Sequence, residues 1–429
     1  MHITKSSDKI TPFGGLDFCL ENFHQSGLAG LIDRHLGPRG QAAEFSYSDI
    51  VANLVSVLFT GGDCAEDLAE HLREPLHRTR GLSVCSPDTL LRGVKELACD
   101  SHQLTHPTSG VTHQFNINEP LNDLMVKALR TTGQLSNRRS YTLDYDNQVI
   151  ATEKWDAVRT YKTCTGYQPG VASIDGMPVY IEGRSGNSQA SFAQDETLAR
   201  MFQRLSGHDV TIDRFRADSA SYQQDVVDLV EAHTDRFYIR AKRSAEMFRQ
   251  IRALEEEDWT SVKLNWQPMD VAELANWRPF DGTTSYRLII SRIKRDDQQG
   301  DLFSESAYTY RAILTNDRTS PPEAIVSFYN KRGASEHVFD VMGNDFSWSR
   351  LPCSFLSQNT VFMILTGIIA GFYRYLIGEY AQKLSWLKAT YRLKKFIFRF
   401  ISVPAKWIKT GRQHVLKLFT HKKYERLLE

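Results

Sequence analysis

The sequence predicts an α/β protein in which a mixed β-sheet is flanked by helices. Residues 140–182 read as three consecutive strands, and the last two form a hairpin about Asp175-Gly176, a dipeptide typical of tight hairpin turns. Residues 187–242 then alternate between helical and strand patterns, as in a sheet with crossover helices. At 429 residues the chain is long enough for two or three domains.

Residues 1–135 predict a helical, DNA-binding domain. Residues 47–59 carry apolar side chains at helical spacing. The Ser-Pro-Asp-Thr stretch at 86–89 marks another helix start, because it joins a capping serine, a proline at the first helical position and an early acid. The basic helix after it indicates a helix-turn-helix reader of duplex DNA, although a small helical bundle fits the pattern equally. Residues 102–113 are interpreted as a polar link.

Acidic residues mark two strands of the predicted core. The strand Ser140–Ile150 places Asp144 and Asp146 on one face, which is costly unless that face is solvated, hydrogen-bonded or metal-bound. An edge strand that faces water is the alternative. Asp218 ends the strand Val210–Ser219, where acids of a mixed sheet meet ligands. Three meandering strands, then helix, strand, helix and strand, match the ribonuclease H type of fold, in which carboxylates on the first and fourth strands face each other.

Residues 246–320 predict a β-rich insertion before the last part of the core. Tyr286–Ile293 and Ala307–Thr315 alternate like antiparallel strands, and the polar loop Lys294–Ser306 joins them. An aromatic-rich sheet of this kind supports a flipped base or packs a small core of its own. We expect core packing for most of its tryptophans.

Tyr329, Arg332 and Glu336 are spaced three and four residues apart, so on a single helix they share one face. A guanidinium binds phosphate oxygens, a phenol donates a hydrogen bond and a carboxylate holds a divalent metal. The pattern therefore suggests phosphate chemistry, and an ordinary amphipathic helix with an Arg–Glu pair is the alternative.

The last part of the chain predicts a buried helix and then a basic surface. Residues 361–373 form an apolar run that is too short to span a bilayer. Lysines and arginines then dominate residues 376–429, a predicted basic helical region suited to phosphates. Its interleaved aromatic residues are Trp386, Tyr391, Phe396, Phe398, Phe400 and Trp407. A basic helix that contacts a membrane or a subunit interface is the alternative.

At this point the sequence resembles a family, the DDE-type transposases of bacterial insertion sequences, in the branch with a β-strand insertion before the last acid. Tyr329, Arg332 and Glu336 match three positions of its Tyr-Arg-Glu-Lys motif, and Gly343 stands where the lysine is expected. Asp218 matches the second acid through its Arg-Ala-Asp-Ser context. Asp146 matches the first, although Gln148 replaces the usual hydroxyl residue two positions later.

The resemblance implies a ribonuclease H-like catalytic core that runs from residue 136 to 245 and from 321 to 375, interrupted by the insertion. It implies Asp146, Asp218 and Glu336 as catalytic residues and metal ligands, with Asp144 as the alternative first acid. Tyr329, Arg332, Lys331 and Arg350 would bind DNA phosphates.

The implied activity is cut-and-paste transposition at terminal inverted repeats. It would use two Mg²⁺ ions, with Mn²⁺ as a substitute. The implied partners are double-stranded transposon ends and target DNA, bound by a homodimer, with no membrane. A metal-dependent nuclease without strand transfer and an inactive DNA-binding relic are the alternatives.

The cysteines and the N-terminus indicate the compartment. The six cysteines form no Cys-x2-Cys pair, which argues against a zinc knuckle and a disulfide framework. The first ten residues lack the apolar core of a signal peptide. These features predict a cytoplasmic protein, and the resemblance implies a bacterial, nucleoid-associated one.

Overall fold

A computed structural model of the chain describes residues 1–4, 7–264, 266–280, 282–294 and 308–428, without the side chains of residues 334–336. In chain order the helices are α1 (Leu16–Gln25), α2 (Leu28–Leu36), α3 (Tyr47–Phe59), α4 (Asp67–Glu70), α5 (Arg73–Leu76), α6 (Pro87–Glu96), α7 (Glu119–Thr131), α8 (Gln194–Ser206), α9 (Gln224–His233), α10 (Ala245–Arg252), α11 (Pro322–Asn330), α12 (Gly333–Asp345), α13 (Leu356–Lys383) and α14 (Leu393–Phe396). The strands are β1 (His102–Thr105), β2 (Thr112–Asn116), β3 (Ser140–Asn147), β4 (Ile150–Ala151), β5 (Val158–Arg159), β6 (Thr165–Tyr167), β7 (Gly170–Ile174), β8 (Met177–Arg184), β9 (Thr211–Ala217), β10 (Arg236–Arg240), β11 (Thr260–Leu264), β12 (Gln267–Trp277), β13 (Tyr286–Lys294), β14 (Tyr308–Thr315), β15 (Ala405–Thr410) and β16 (Gln413–Leu418).

One large mixed sheet organises the molecule. Its strand order is β1-β2-β8-β7-β3-β9-β10-β14-β13-β12-β11. At the centre of the segment β8-β7-β3-β9-β10, strand β3 runs antiparallel to β7 and parallel to β9. The predicted ribonuclease H-like sheet flanked by helices is therefore confirmed. Its β7–β8 hairpin turns at Asp175 and Gly176, whose φ angles are both positive, as the sequence predicts.

The strands of the predicted insertion extend the same sheet. β14 pairs antiparallel with β10, and β13, β12 and β11 follow outward. Among the described residues the insertion packs no core of its own, since its apolar side chains join two clusters that also contain residues of β10. Its tryptophans differ: Trp277 is buried, Trp259 is half-buried and Trp266 is 88% exposed. The loop Lys294–Ser306 lies largely outside the described residues.

The helix α13 packs across the sheet as the main core helix. Its most apolar 18-residue window is 78% buried, so a helix long and apolar enough to cross a membrane lies inside the protein. It is much longer than the apolar run that predicts it. Contact with β8 is close at Gly183, where an added Cβ would lie 2.0 Å from Thr360 Oγ1. Only glycine allows this approach.

The N-terminal helices begin at residues that the local chemistry explains. Ser46 caps α3 in a reciprocal box with Asp49, and Ser86 caps α6 by accepting from the Thr89 backbone N–H. The prediction of a polar link at residues 102–113 is wrong. β1 and β2 form a hairpin that joins the sheet at β8, because the buried Phe115 pairs there opposite Arg184.

The C-terminal region departs from its predicted helical form. Beyond Lys383 the chain has short helical turns at residues 393–401 and Tyr424–Leu427, and β15 and β16 form a two-stranded hairpin. The predicted aromatic surface is wrong for Phe396 and Phe400, which are fully buried and stack on each other, whereas Trp386, Tyr391 and Trp407 are half-buried. Phe398, at 70% exposure, remains outside.

Candidate active site

Two predicted acids lie at the carboxyl ends of adjacent parallel strands. Asp146 is near the end of β3, and Asp218 directly follows β9. The register pairs Tyr145 with Ala217, so Asp146 and Asp218 occupy the next positions on neighbouring strands. The Asp218 carboxylate is held in place by the Ala220 backbone N–H, which donates to it a 2.9 Å hydrogen bond. The fold thus brings together two acids that are far apart in sequence.

The Arg332 guanidinium lies against Asp146. Arg332 Nη1 donates to Asp146 Oδ2 at 2.9 Å, and the Asn147 backbone N–H donates to Asp146 Oδ1 at 2.8 Å. Burial raises the pKa of Asp146 to about 6, against the lowering effect of Arg332 and with the help of the Asp218 carboxylate. Arg332 Nε is buried without a hydrogen-bond partner among the described residues. The guanidinium therefore keeps a donor for a further acceptor.

Tyr329 joins this cluster from the end of α11. It is buried, and its hydroxyl donates to the Ala217 carbonyl oxygen at 3.1 Å, beside Asp218. The Arg332 guanidinium lies 5.8 Å from the centre of its ring. The prediction of one continuous helix is wrong, because α11 ends at Asn330 and α12 begins at Gly333. A short turn, in which the Arg332 N–H donates to the Tyr329 carbonyl at 2.8 Å, keeps both side chains on the same side.

Asp144, the alternative first acid, is engaged differently. Its carboxylate is 4% exposed and accepts two 2.7 Å hydrogen bonds from Arg216. Arg216 also donates to the Phe328 carbonyl oxygen at 2.8 Å. This is a bidentate buried ion pair that ties β3 to β9 and α11. Both of its oxygens accept from Arg216, although burial raises the pKa of Asp144 as well.

A group of basic residues beside Asp218 was not identified from the sequence. Arg240, at the end of β10, lies near Tyr329 and Arg332, and burial lowers the pKa of its guanidinium. Among the described residues it has no ion-pair partner. With Lys242, Arg243 and Arg311 it lines a cavity of about 320 Å³ that also touches Ser219. The Arg-Ala-Lys-Arg run at the end of a core strand was the available signal.

The remaining predicted residues make no described contact with Asp146 or Asp218. Glu336 lies within α12, but its side chain is outside the described residues. Lys331 is exposed beside Arg332. Arg350 is directed away from the cluster, because it forms an ion pair with Asp63 of the N-terminal region. At Gly343 an added Cβ would meet no atom within 4 Å, so the position has room for a longer side chain.

The donor set at the strand ends fits a divalent cation. Mg²⁺ binds through one or two carboxylates and takes water and phosphate oxygens for its other positions. Asp146 and Asp218 supply such carboxylates side by side, and the raised pKa of Asp146 reflects a negative charge that burial and Asp218 disfavour. A bound cation would relieve this cost. Asp144 does not fit, since Arg216 already neutralises it.

Comparisons with known proteins extend over the whole chain. A family model described as "Transposase DDE domain group 1" matches residues 4–429. Among curated proteins no relative matches the sequence. The solved structures that resemble it include the piggyBac transposase synaptic complex with hairpin DNA, at 11% identity and a TM-score of 0.44, covering 90% of this chain and 78% of that one. The Drosophila P element transposase strand transfer complex matches at 12% identity and a TM-score of 0.25, covering 58% of this chain and 52% of that one.

Proposed function

This chain belongs to the DDE transposase family, and we propose that it moves an insertion sequence by metal-dependent cleavage and strand transfer at terminal inverted repeats. The observation that carries the proposal is the pairing of Asp146 and Asp218 at the ends of β3 and β9, with Arg332 in contact. Carboxylates in this arrangement suit phosphoryl transfer on a DNA backbone, where catalysis depends on positioning and charge stabilisation.

We assign the metal ligands as Asp146, Asp218 and Glu336. Divalent ions held there, Mg²⁺ or Mn²⁺ and two in number, would lower the pKa of an attacking hydroxyl and stabilise the leaving oxygen. Within the protein, Asp146 supplies one carboxylate from the sheet centre and Asp218 another from a position fixed by the Ala220 N–H. Glu336 would approach from α12, which follows Arg332 directly.

Arg332 and Tyr329 position the scissile phosphate in this proposal. Arg332 Nε has no hydrogen-bond partner among the described residues, so it and the guanidinium charge suit a phosphate oxygen. The Tyr329 ring lies against this guanidinium, with its centre 5.8 Å away. The cavity lined by Arg240, Lys242, Arg243 and Arg311 lies beside Asp218 and offers cations for the adjoining phosphates. Such contacts orient DNA and carry no sequence preference. Lys331, exposed beside Arg332, is a further candidate, whereas Arg350 would first have to leave Asp63.

Metal-dependent cleavage tests the proposal. DNA that carries the element's inverted repeats is incubated with Mn²⁺ and either the wild type or Asp218→Asn. We expect cleaved and joined products with the wild type and a loss of about a thousandfold or more in the variant. Cleavage by both proteins at the same rate would contradict the assignment of Asp218. Cleaved ends that are never joined would indicate a nuclease instead.

A DNA-binding relic without activity is the second candidate, and two departures favour it. Gln148 stands where the family has a hydroxyl residue, and Gly343 stands where it has a lysine. Wild-type protein that binds the repeats but does not cleave them in Mg²⁺ or Mn²⁺ would support this candidate.

A further inference from the structure

A small three-stranded sheet follows Asp146 in the chain, and the turns that join its strands expose two aromatic rings. Its strand order is β4-β6-β5, and in the sequence these strands come between β3 and β7. β4 begins three residues after the end of β3. Trp155 is 85% exposed and Tyr161 is 70% exposed. No described ring or cation stacks on Trp155. Two large rings are thus left in water six residues apart on one folded segment, where a partner can reach them.

The segment is held firmly, so the exposed rings do not result from a loose loop. The Trp155 backbone N–H donates to the Ser354 carbonyl oxygen at 3.0 Å. The neighbouring Asp156 carboxylate accepts from the Leu356 N–H at the start of α13 and from the Tyr167 hydroxyl. At Gly166 an added Cβ would lie 2.2 Å from the Ile150 carbonyl oxygen, so the strands approach as closely as glycine permits. The backbone around Trp155 is therefore fixed to the core.

The charges around the rings are mainly positive. Arg159 and Lys162 are exposed and Lys154 is half-buried, while the Lys162 ammonium lies 5.8 Å from the centre of the Tyr161 ring. Asp156 is turned inward, which leaves Glu153 as the exposed acid of residues 150–167. Aromatic rings interleaved with cations form a stacking platform for bases with partners for phosphates. A protein–protein contact fits less well, because lysine is depleted at such interfaces.

We propose that residues 150–167 bind unpaired DNA, with Trp155 and Tyr161 stacking on bases and the adjoining cations contacting the backbone. This inference rests on the proposed function for the source of the strand, which is DNA unpaired beside the cleavage site. The surface itself needs neither metal nor cleavage. The surface does not include the catalytic acids. Gln148, which directly follows β3, connects the two in the chain.

Binding of a labelled oligothymidine of about 20 nucleotides, measured by fluorescence anisotropy in EDTA with the full chain, tests the inference. We expect Trp155→Ala to weaken binding about tenfold and Tyr161→Ala to weaken it less, since stacking on one ring is lost in each. Trp155→Phe should restore most of the affinity. The matched control is Trp266→Ala, because Trp266 is equally exposed and also lies beside a lysine, Lys263. It should change the affinity less than twofold.

Three outcomes would overturn the inference: unchanged binding by Trp155→Ala, an equal loss in Trp266→Ala, and loss of a dimer in sedimentation with unchanged oligonucleotide affinity. The last would make the surface a contact between copies of the chain. If oligonucleotide binding fails while metal-dependent cleavage persists, only this inference falls. If binding depends on Trp155 and cleavage is absent, only the proposed function falls.

Discussion

Two carboxylate environments on β3 can be compared directly. Asp144 and Asp146 lie two residues apart on the same face, and each meets an arginine from another element. Asp144 is held by both ends of the Arg216 guanidinium at 2.7 Å, whereas Asp146 receives one 2.9 Å bond from Arg332. The Asp218 carboxylate adds negative charge beside Asp146. The comparison indicates that an acid held by a bidentate arginine joins elements together, while an acid with a single arginine bond beside a second carboxylate is better suited to a cation.

The largest expected difference is in catalysis. Asp146→Asn should reduce metal-dependent cleavage about a thousandfold or more, because a neutral amide neither offsets the metal charge nor bridges ions. The variant should still fold cooperatively. Asp213→Asn is the control on the neighbouring strand, where Asp213 forms an ion pair with its neighbour Arg214. Cleavage by Asp146→Asn within tenfold of the wild type would remove the distinction between the two acids.

The next largest effect is on stability and concerns Asp144. Asp144→Asn should lower the free energy of unfolding by about 3 kcal/mol, because it leaves the Arg216 charge buried without a counter-charge. Urea denaturation followed by tryptophan fluorescence measures this loss. The double variant Asp144→Leu/Arg216→Met should recover part of it, since no unpaired charge remains. An Asp144→Asn protein as stable as the wild type would show that the pair does not tie the strands together.

A smaller effect should appear in the pH dependence of stability. The pKa of Asp146 is about 6 in the folded protein against its ordinary 3.8, so the folded state binds a proton that the unfolded chain releases. In EDTA this contribution is fully present below pH 4 and is lost as the pH rises through 6, by up to about 3 kcal/mol.

Thermal unfolding of the wild type and Asp146→Asn from pH 4.5 to 7.5 isolates this contribution. Burial also raises the pKa of Asp17 to about 6, but Asp17 is common to both proteins and cancels in the difference. We expect the wild type to lose stability relative to the variant as the pH rises. Parallel curves for the two proteins would contradict the assigned environment of Asp146.

The smallest expected effect follows from adding a cation at position 343, where the resemblance expects a lysine. Gly343→Lys has room for its side chain and should raise duplex affinity about threefold at low salt, since it adds one phosphate contact. It should also stabilise α12 by about 0.5–1 kcal/mol, because glycine is a poor helix former. Gly343→Gln controls for the helix effect without the charge. An equal affinity in both variants would mean that residue 343 lies away from DNA.

The sequence predicted what local patterns determine. The alternation of Ser140–Asn147, the Asp175-Gly176 turn and the Ser86 cap each depend on neighbouring residues, and all three appear in the structure. The family assignment, which rests on motif order, is also confirmed.

What the sequence did not predict depends on distant partners. The pairing of β2 with β8 and of β14 with β10 is set by packing across the sheet, which no local window contains. The choice between Asp144 and Asp146 stayed open for the same reason, since their arginines lie 72 and 186 residues away. The break between α11 and α12 was missed because residues 331–332 keep helical backbone angles while the hydrogen-bonding pattern tightens.

The central claim is that Asp146 and Asp218 share divalent cations, and Mn²⁺ binding measures this most directly. Electron paramagnetic resonance titration of the DNA-bound chain at pH 7.5 should give a saturable Mn²⁺ site in the wild type and in Asp213→Asn. Asp146→Asn and Asp218→Asn should each weaken that binding at least about tenfold, since each removes one carboxylate ligand. Wild-type affinity in both of these variants would contradict the claim.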